Sequence, residues 1–481
     1  MLSSYRPYLD ILLELEPGLY VAGGAVKDCL LGRSLFDVDI VFPPGAAGIA
    51  SRFADRTGAT RIALREDEPD KMTERVVVRA GDKSLVFDFT VLRGPGIEGD
   101  LAGRDFTLTA MALPLAAFVN GDLSRLVDPF GGRAAILGKE IRVLSDESFR
   151  QDPLRILRAF RLAADLGFAI EGETLSKVAR DRALLGSVSG ERIRDEIFRI
   201  LGVNPCHPFI ESMDRQGILE VVFPEIAAMK GIEQGGYHSL DVWSHSLRAL
   251  EEAEPILDRP DSAFGPFSEG FAAYLASGFV NGRSRSSLIK LAVLFHDSGK
   301  PGKASRDGEG QPHFYGHAAG GGLIVKGLAE RLRLARAESE FLAALVVHHM
   351  HLIHLTAQAS RSKRSVLRFF RKSGEDYRAQ FILFLADTKA TVGPRMTAEM
   401  VLRIGEAMNE MLAQFEGEIR PRLQMPPLIS GRDLMDRFGL EEGPIIGELL
   451  DEVEEARLEG RLDDRDAALE FAGALLKRCV Q

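Results

Sequence analysis

Strand signals in this chain stop near residue 145, and that change of periodicity constrains the fold more than any other feature. Before it, "VDIVF", "ERVVVRA" and "SLVFDFTVL" are β-branched and aromatic runs set between glycine-rich turns, the pattern of a small α/β domain. From "DESFRQDPLRILRAFRLAADLGF" onward the helical period dominates to the end. The class predicted is α+β, a mixed-sheet head followed by all-helical segments. At 481 residues the chain exceeds one core and is read as several domains. Asp152-Pro153 predicts a helix start, with a capping carboxylate and then proline at the first helical position. The Pro-, Gly- and Ser-rich stretch 258–287 predicts a loop, and "QMPPLISGRD" a linker to a last helical segment.

Charge narrows the function classes. The 60 basic and 70 acidic residues leave −10 overall, so the chain is no general nucleic-acid coat, and any polyanion must be held by a local basic surface. No apolar run is long enough to span a bilayer, and "MLSSYRPYLDILLELEPGLY" has acids where a secretion signal needs an apolar centre. Cys29, Cys206 and Cys479 are widely spaced and form neither a disulfide framework nor a zinc pattern. The expectation is a cytoplasmic protein without a membrane partner.

Within the head, "YVAGGAVKDCLLGRSLFDVDIVF" sets a Gly-Gly pair thirteen residues before two aspartates. Asp37 and Asp39 at i and i+2 of a strand share one face. Such an oxygen pair suits Mg²⁺, which keeps water and phosphate oxygens as its other ligands. Asp88, in "LVFDFTVLR", follows the same alternation on a later strand and completes the donor set for a two-metal clamp. Gly23 and Gly24 lack side chains, so their backbone N–H groups are expected to approach a triphosphate. No G-K-[ST] follows, which excludes a Walker P-loop. Either feature alone is commonly just a turn or a solvated strand face.

"AGGAVKDCLLGRSLFDVD" resembles the GG-x-V-R-D…D-x-D signature of class II nucleotidyltransferases, the family of bacterial tRNA CCA-adding enzymes and poly(A) polymerases. "DLAGRDFTLTAMAL", "LVDPFGG", "DPLRILRAFRLAADLGF" and the closing "LISGRDLMDRFGLEEGPIIGELLDEVEEARLEG" are similar to further family segments in the same order. The resemblance implies a catalytic head over 1–145, a helical neck and body over 146–228, and a helical tail over 426–481. It implies Mg²⁺ on Asp37 and Asp39, with Asp88 as third carboxylate. Gly23, Gly24, Lys27 and Arg33 are implied along the triphosphate, and Arg104 and Asp105 near ribose and base. Asp152 and Arg155 match the element that reads the incoming base, with Arg158 beside them. Arg161, on the same stripe, is expected to be solvated. The implied reaction extends the 3′ end of tRNA from CTP and ATP.

Five departures from the family pattern bear on selectivity. Lys27, Gly103, Thr109 and Gln151 stand where the family has Arg, Arg, Asn and Glu. Only six residues, "GPGIEG", separate Arg93 from Asp100, where full CCA-adding relatives carry a longer flexible loop. Members lacking that loop tend to add only the two cytidines.

All ten histidines lie between 207 and 354. "VWSHSLRAL", "LAVLFHDSGKP" and "FLADTKA" place His245, His296, Asp297 and Asp387 in an order similar to the HD superfamily of helical, metal-dependent phosphohydrolases. That resemblance implies an HD domain over 229–425 holding a divalent transition metal or Mg²⁺. His317 and His349 match the extra ligands of two-metal members, with His348 the alternative to His349, and Lys300 is implied near phosphate. "RSKRSVLRFFRK", 361–372, has six basic residues and no acid, and reads equally as an RNA contact or an amphipathic helix. The competing functional readings are a poly(A) polymerase of the same family, or a phosphohydrolase (2′,3′-cyclic phosphodiesterase or phosphatase) whose head only binds RNA. The sequence leaves oligomeric state open.

Overall fold

The computed structural model describes residues 3–63, 73–81, 83–358 and 361–479. The side chain of Cys479 lies outside what is described, and Cys29 and Cys206 are free. The chain divides into two compact units, Met1–Ile200 with Ser212–Val222, and Leu201–Glu211 with Phe223–Gln481.

The first unit carries a six-stranded sheet in the order β3-β4-β5-β2-β1-β6. Its strands are β1 (Tyr20–Ala22), β2 (Asp37–Phe42), β3 (Thr60–Ala63), β4 (Thr73–Ala80), β5 (Lys83–Val91) and β6 (Ala112–Pro114). The three runs expected as strands are β2, β4 and β5. Strands β2 and β5 pair in parallel and the other neighbours are antiparallel, so the sheet is mixed, as expected.

Alternation along these strands separates core from cleft. Val38 and Ile40 of β2 and Phe87 and Phe89 of β5 turn into one hydrophobic core with Leu9, Leu12 and Phe53. Phe53 meets Phe87 edge-on at 5.0 Å. Asp37, Asp39 and Asp88 are the intervening positions and turn the other way. The neck helix Arg155–Leu166 starts two residues later than expected. Pro153 and Leu154 form a turn instead, with Asp152 Oδ1 accepting from the Leu154 N–H at 3.3 Å, and Gly167 closes the helix at φ +66°.

The second unit is helical, built on Val242–Asp258, Arg285–Phe295, His317–Arg331, Arg336–Thr356 and Tyr377–Ala390. The stretch 258–287 is not simply a loop. Helix Ser268–Ala276 forms within it, because Phe271 buries and stacks on Phe264 at 3.7 Å. The "QMPPLISGRD" linker ends in a capping box, Ser430 with Asp433, that starts the helix Gly431–Phe438. The tail has its own hydrophobic cluster, including Leu434, Leu449, Val453 and Ala472. No helix among the described residues is long and apolar enough to cross a membrane.

Candidate active site and metal centre

The register of β2 on β5 sets Asp39 directly opposite Asp88, with Asp37 two residues along the same face. Crowding shows in their acidity. Burial and the nearby Asp37 and Asp88 carboxylates push Asp39 up to about 6, against the opposing pull of Arg104. Asp37 is raised by burial and by Asp88. Asp39 nevertheless keeps 38% of its side-chain surface open, as a group at the floor of a cleft would. Oxygen donors that repel one another on an open face fit a divalent cation such as Mg²⁺.

Arg104 lies beside this group, its guanidinium 3.9 Å from Asp39 and 3.5 Å from the buried Asp100. Gly23 makes that approach possible. A Cβ there would sit 2.3 Å from an Arg104 nitrogen and 2.7 Å from Asp39 Oδ2, and its φ of +73° disfavours other residues. The expected role of its N–H differs: Gly23 N–H donates to the Met111 carbonyl at 3.1 Å, so the missing side chain rather than the amide serves the cleft. Gly24 opens the helix Gly24–Leu30. Lys27 on that helix is buried and pairs with its neighbour Asp28 at 2.9 Å, within electrostatic reach of Asp37.

The remaining residues expected at the nucleotide form a band joined by polar contacts. Asp105 is buried and accepts from Arg158 Nε at 2.7 Å and from the Thr109 hydroxyl at 2.7 Å. Burial alone would raise it, but Arg158, Thr109 and Arg155 hold the carboxyl below its ordinary range. The Thr at 109 therefore supplies a donor to Asp105. Arg155 donates to the Gly103 carbonyl at 3.0 Å and to Ser148 Oγ at 2.9 Å, with Gln151 Oε1 at 3.5 Å. Asp152 is engaged by Arg192 at 2.9 Å. One expected position is not brought in. Arg33 donates to the Asp165 carbonyl at 3.0 Å, closing the end of the neck helix. Arg161 is not solvated: its side chain is 15% exposed and its Nε lies 2.7 Å from the buried Glu196.

Sequence reasoning missed Arg75. It grips Asp88 with a two-pronged contact, Nε to Oδ1 and a terminal nitrogen to Oδ2, both at 2.8 Å. The signal was present in the hairpin: with Ala80 opposite Lys83 across the turn, Arg75 must face Asp88.

The histidine cluster is built from five helical segments of the second unit. Asp241 caps Val242–Asp258 by accepting from Ser244 N–H at 2.7 Å, which fixes His245 in the first turn. His296 and Asp297 follow the wholly buried end of Arg285–Phe295. His317 opens its helix, and His349 and Asp387 are buried in theirs. Two buried groups of possible ligands, His245–His296–Asp297 and Asp297–His317–His349, share Asp297. Asp387 Oδ1 lies 2.9 Å from His245 Nε2 and 3.6 Å from His296 Nε2.

The imidazoles are aimed. Nδ1 of His296, His317 and His349 meets the carbonyl three residues earlier, of Val293, Phe314 and Val346, at 2.8, 2.8 and 2.6 Å. With the proton on Nδ1, each Nε2 is turned inward as an acceptor. His317 and His349 present theirs to each other at 3.2 Å, and His296 Nε2 is buried off the line of any hydrogen bond. Lone pairs so opposed fit a cation between them. Burial drives His349 down to about 4, so it is neutral, whereas at His296 burial is outweighed by the Asp297 and Asp387 carboxylates, which push it up to about 10. The site selects His349; His348 is half-buried elsewhere, stacked on His351. Lys300 reaches Asp297 and Gln234, each at 2.6 Å. A cavity of about 1030 Å³ opens onto the cluster, lined also by His238, Phe314, Tyr315 and Arg403.

Fold and site together define a nucleotidyltransferase-type head with a carboxylate triad, followed by helical domains. The comparisons with known proteins agree. Residues 19–142 match the Poly A polymerase head domain, 167–230 the "Probable RNA and SrmB- binding site of polymerase A", and 423–472 a tRNA nucleotidyltransferase domain 2. The A-adding tRNA nucleotidyltransferase of Deinococcus radiodurans is 32% identical over 466 residues, 96% of each chain. The CC-adding tRNA nucleotidyltransferase of Thermus thermophilus is 31% identical, covering 96% of this chain and 95% of its own. Among solved structures, a CCA-adding enzyme in an apo form superposes with a TM-score of 0.64 at 22% identity, covering 98% of this chain and 94% of that one. The Thermotoga maritima CCA-adding enzyme complexed with tRNA gives 0.62 at 21%, covering 97% and 95%. The chain belongs to the class II tRNA nucleotidyltransferase and poly(A) polymerase family.

Proposed function

We propose that the head adds cytidylate residues to the 3′ end of tRNA from CTP and stops after the second, leaving the terminal adenosine to another enzyme. The observation that carries the restriction is the connection after β5. It is a closed turn: Gly94 and Gly96 take positive φ, the helix Gly96–Ala102 follows at once, and the buried Asp100 accepts from Arg93 N–H at 3.3 Å. A pocket that must change from C to A needs a segment able to move, and this one has little reach. The tRNA substrate is supported by the two full-length relatives, and it supports the cytoplasmic placement expected from the sequence.

In the reaction the tRNA 3′-oxygen bonds to the α-phosphorus, the bond from that phosphorus to the bridging oxygen breaks, and pyrophosphate leaves. Asp37 and Asp39 would hold Mg²⁺, which acidifies the attacking hydroxyl and offsets the leaving group's charge. Arg104, braced by Asp100 and admitted by Gly23, stands ready beside the phosphates. Arg158 and Asp105 lock the neck helix to the head, and Arg155 and Asp152 would read the base on turning from Gly103, Ser148 and Arg192, which hold them here. Transcripts ending at the discriminator base or at CC, given CTP, ATP or both and resolved to single nucleotides, test this. Products ending at CC are expected; a complete CCA end refutes the restriction, and a long A tail makes the chain a poly(A) polymerase.

The aimed imidazoles favour a second activity. His245, His296, Asp297, His317, His349 and Asp387 would form an HD-type centre for one or two divalent metals, hydrolysing phosphoesters in the cavity beside it. Metal analysis of the purified protein and hydrolysis of 2′,3′-cyclic nucleotides test this, with loss of both expected in His296→Ala.

A further inference from the structure

Three carboxylates, Asp37, Asp39 and Asp88, face two guanidiniums, Arg75 and Arg104, so the cleft holds a net negative charge before any ligand enters. The two arginines are placed differently. Arg104 touches Asp39 and Asp100 only at 3.9 and 3.5 Å, whereas Arg75 occupies both oxygens of Asp88 at 2.8 Å. Arg75 also lies within electrostatic reach of Asp37 and Asp39. The fork is fixed by strand register rather than by a mobile loop, because Arg75 is the cross-strand partner of Asp88. It sits on the cleft face, opposite the side where Phe87 and Phe89 pack, so it adds nothing to the core beneath. A planar guanidinium engages both oxygens of a carboxylate in a way that a lysine does not, taking one lone pair of each and setting a fixed positive charge beside any metal that Asp88 would bind.

We infer that Arg75 is a positioning residue that acts as the site's resident counter-ion, occupying Asp88 in competition with a divalent cation, so that a cation binds Asp88 only as the guanidinium lets go. This rests on the head being the metal-dependent transfer site. Its consequence is that the cleft loads its metal more weakly than its three carboxylates would allow, and does so fully only when another anion, such as the nucleotide's phosphates, takes over Arg75.

The test is Mn²⁺ binding to the full-length protein without substrate, followed by the electron paramagnetic resonance signal of free Mn²⁺. The head's sites are those lost in Asp37→Asn, which separates them from sites in the histidine cluster. Arg75→Gln is expected to tighten that class by about tenfold or more, with Arg75→Lys between it and wild type. Adding Asp88→Asn to Arg75→Gln should cancel the gain. Unchanged or weaker binding in Arg75→Gln would overturn the counter-ion role, the latter showing that Arg75 orients Asp88 as a ligand. If Asp37→Asn removes no Mn²⁺ class, the metal reading of the head fails, and the role of Arg75 with it.

Discussion

Gly23 has no side chain, and the cleft is arranged around that absence. In Gly23→Ala the new Cβ would stand 2.3 Å from Arg104 and 2.7 Å from Asp39, so one of them must shift. A displacement of that size in reacting geometry costs on the order of 100-fold, which is the fall expected in the turnover of CTP addition, with the fold intact by circular dichroism. Asp105 gives a prediction in pH. Its carboxyl is held below the ordinary value of about 3.9 in the folded protein, so it stays ionised there while the unfolded chain takes up a proton. The stability it contributes is complete above the ordinary carboxylate range and is lost as pH falls from there through the lower folded-state value. The difference in unfolding free energy between wild type and Asp105→Asn should therefore shrink between about pH 5 and pH 3. A difference that stays constant would show that Arg158 and Thr109 do not hold the ionised form.

At the scale of elements, the sequence was most informative where one strand or one helix sufficed. The period of two placed Asp37, Asp39 and Asp88 on one face without knowledge of any partner. Arg75 required one step more, the register of a hairpin. Partners far along the chain were illegible, and "RSKRSVLRFFRK" shows why. It does form an amphipathic helix, Lys363–Ser373, burying Val366, Leu367, Phe369 and Phe370. Arg361, Lys363 and Arg364, however, face acids 49 to 91 residues away. Arg361 pairs with Glu410, Lys363 with Glu418 at 2.7 Å, and Arg364 with Glu455 at 2.8 Å and Glu452 at 3.3 Å. Cations already met by carboxylates are poor counter-ions for phosphate. Arg364→Ala should leave the salt dependence of tRNA binding unchanged, whereas each lost phosphate contact would flatten the log–log slope by about 0.7 to 0.9. Asp152 illustrates the same limit. Its place just before the neck helix was readable, but it does not cap that helix, and the Arg192 that engages it lies 40 residues on, in another helix.

Over the whole molecule, the carboxylate triad lies in one compact unit and the histidine cluster in the other, each with its own core and its own set of candidate ligands. The two chemistries should therefore fail separately. The cluster was legible because its six residues sit in short motifs on five helical segments, but the choice of His349 over His348 was not. Two adjacent residues of a helix diverge by about 100°, and only the packing decides which points inward. The measurement that tests the account most directly follows both activities in wild type, Asp37→Ala and His296→Ala: nucleotide addition to tRNA transcripts, and hydrolysis of a 2′,3′-cyclic nucleotide. The account predicts that Asp37→Ala loses addition while keeping hydrolysis, and that His296→Ala does the reverse. Addition that survives Asp37→Ala, with hydrolysis lost instead, would contradict the assignment of the head as the site of nucleotidyl transfer.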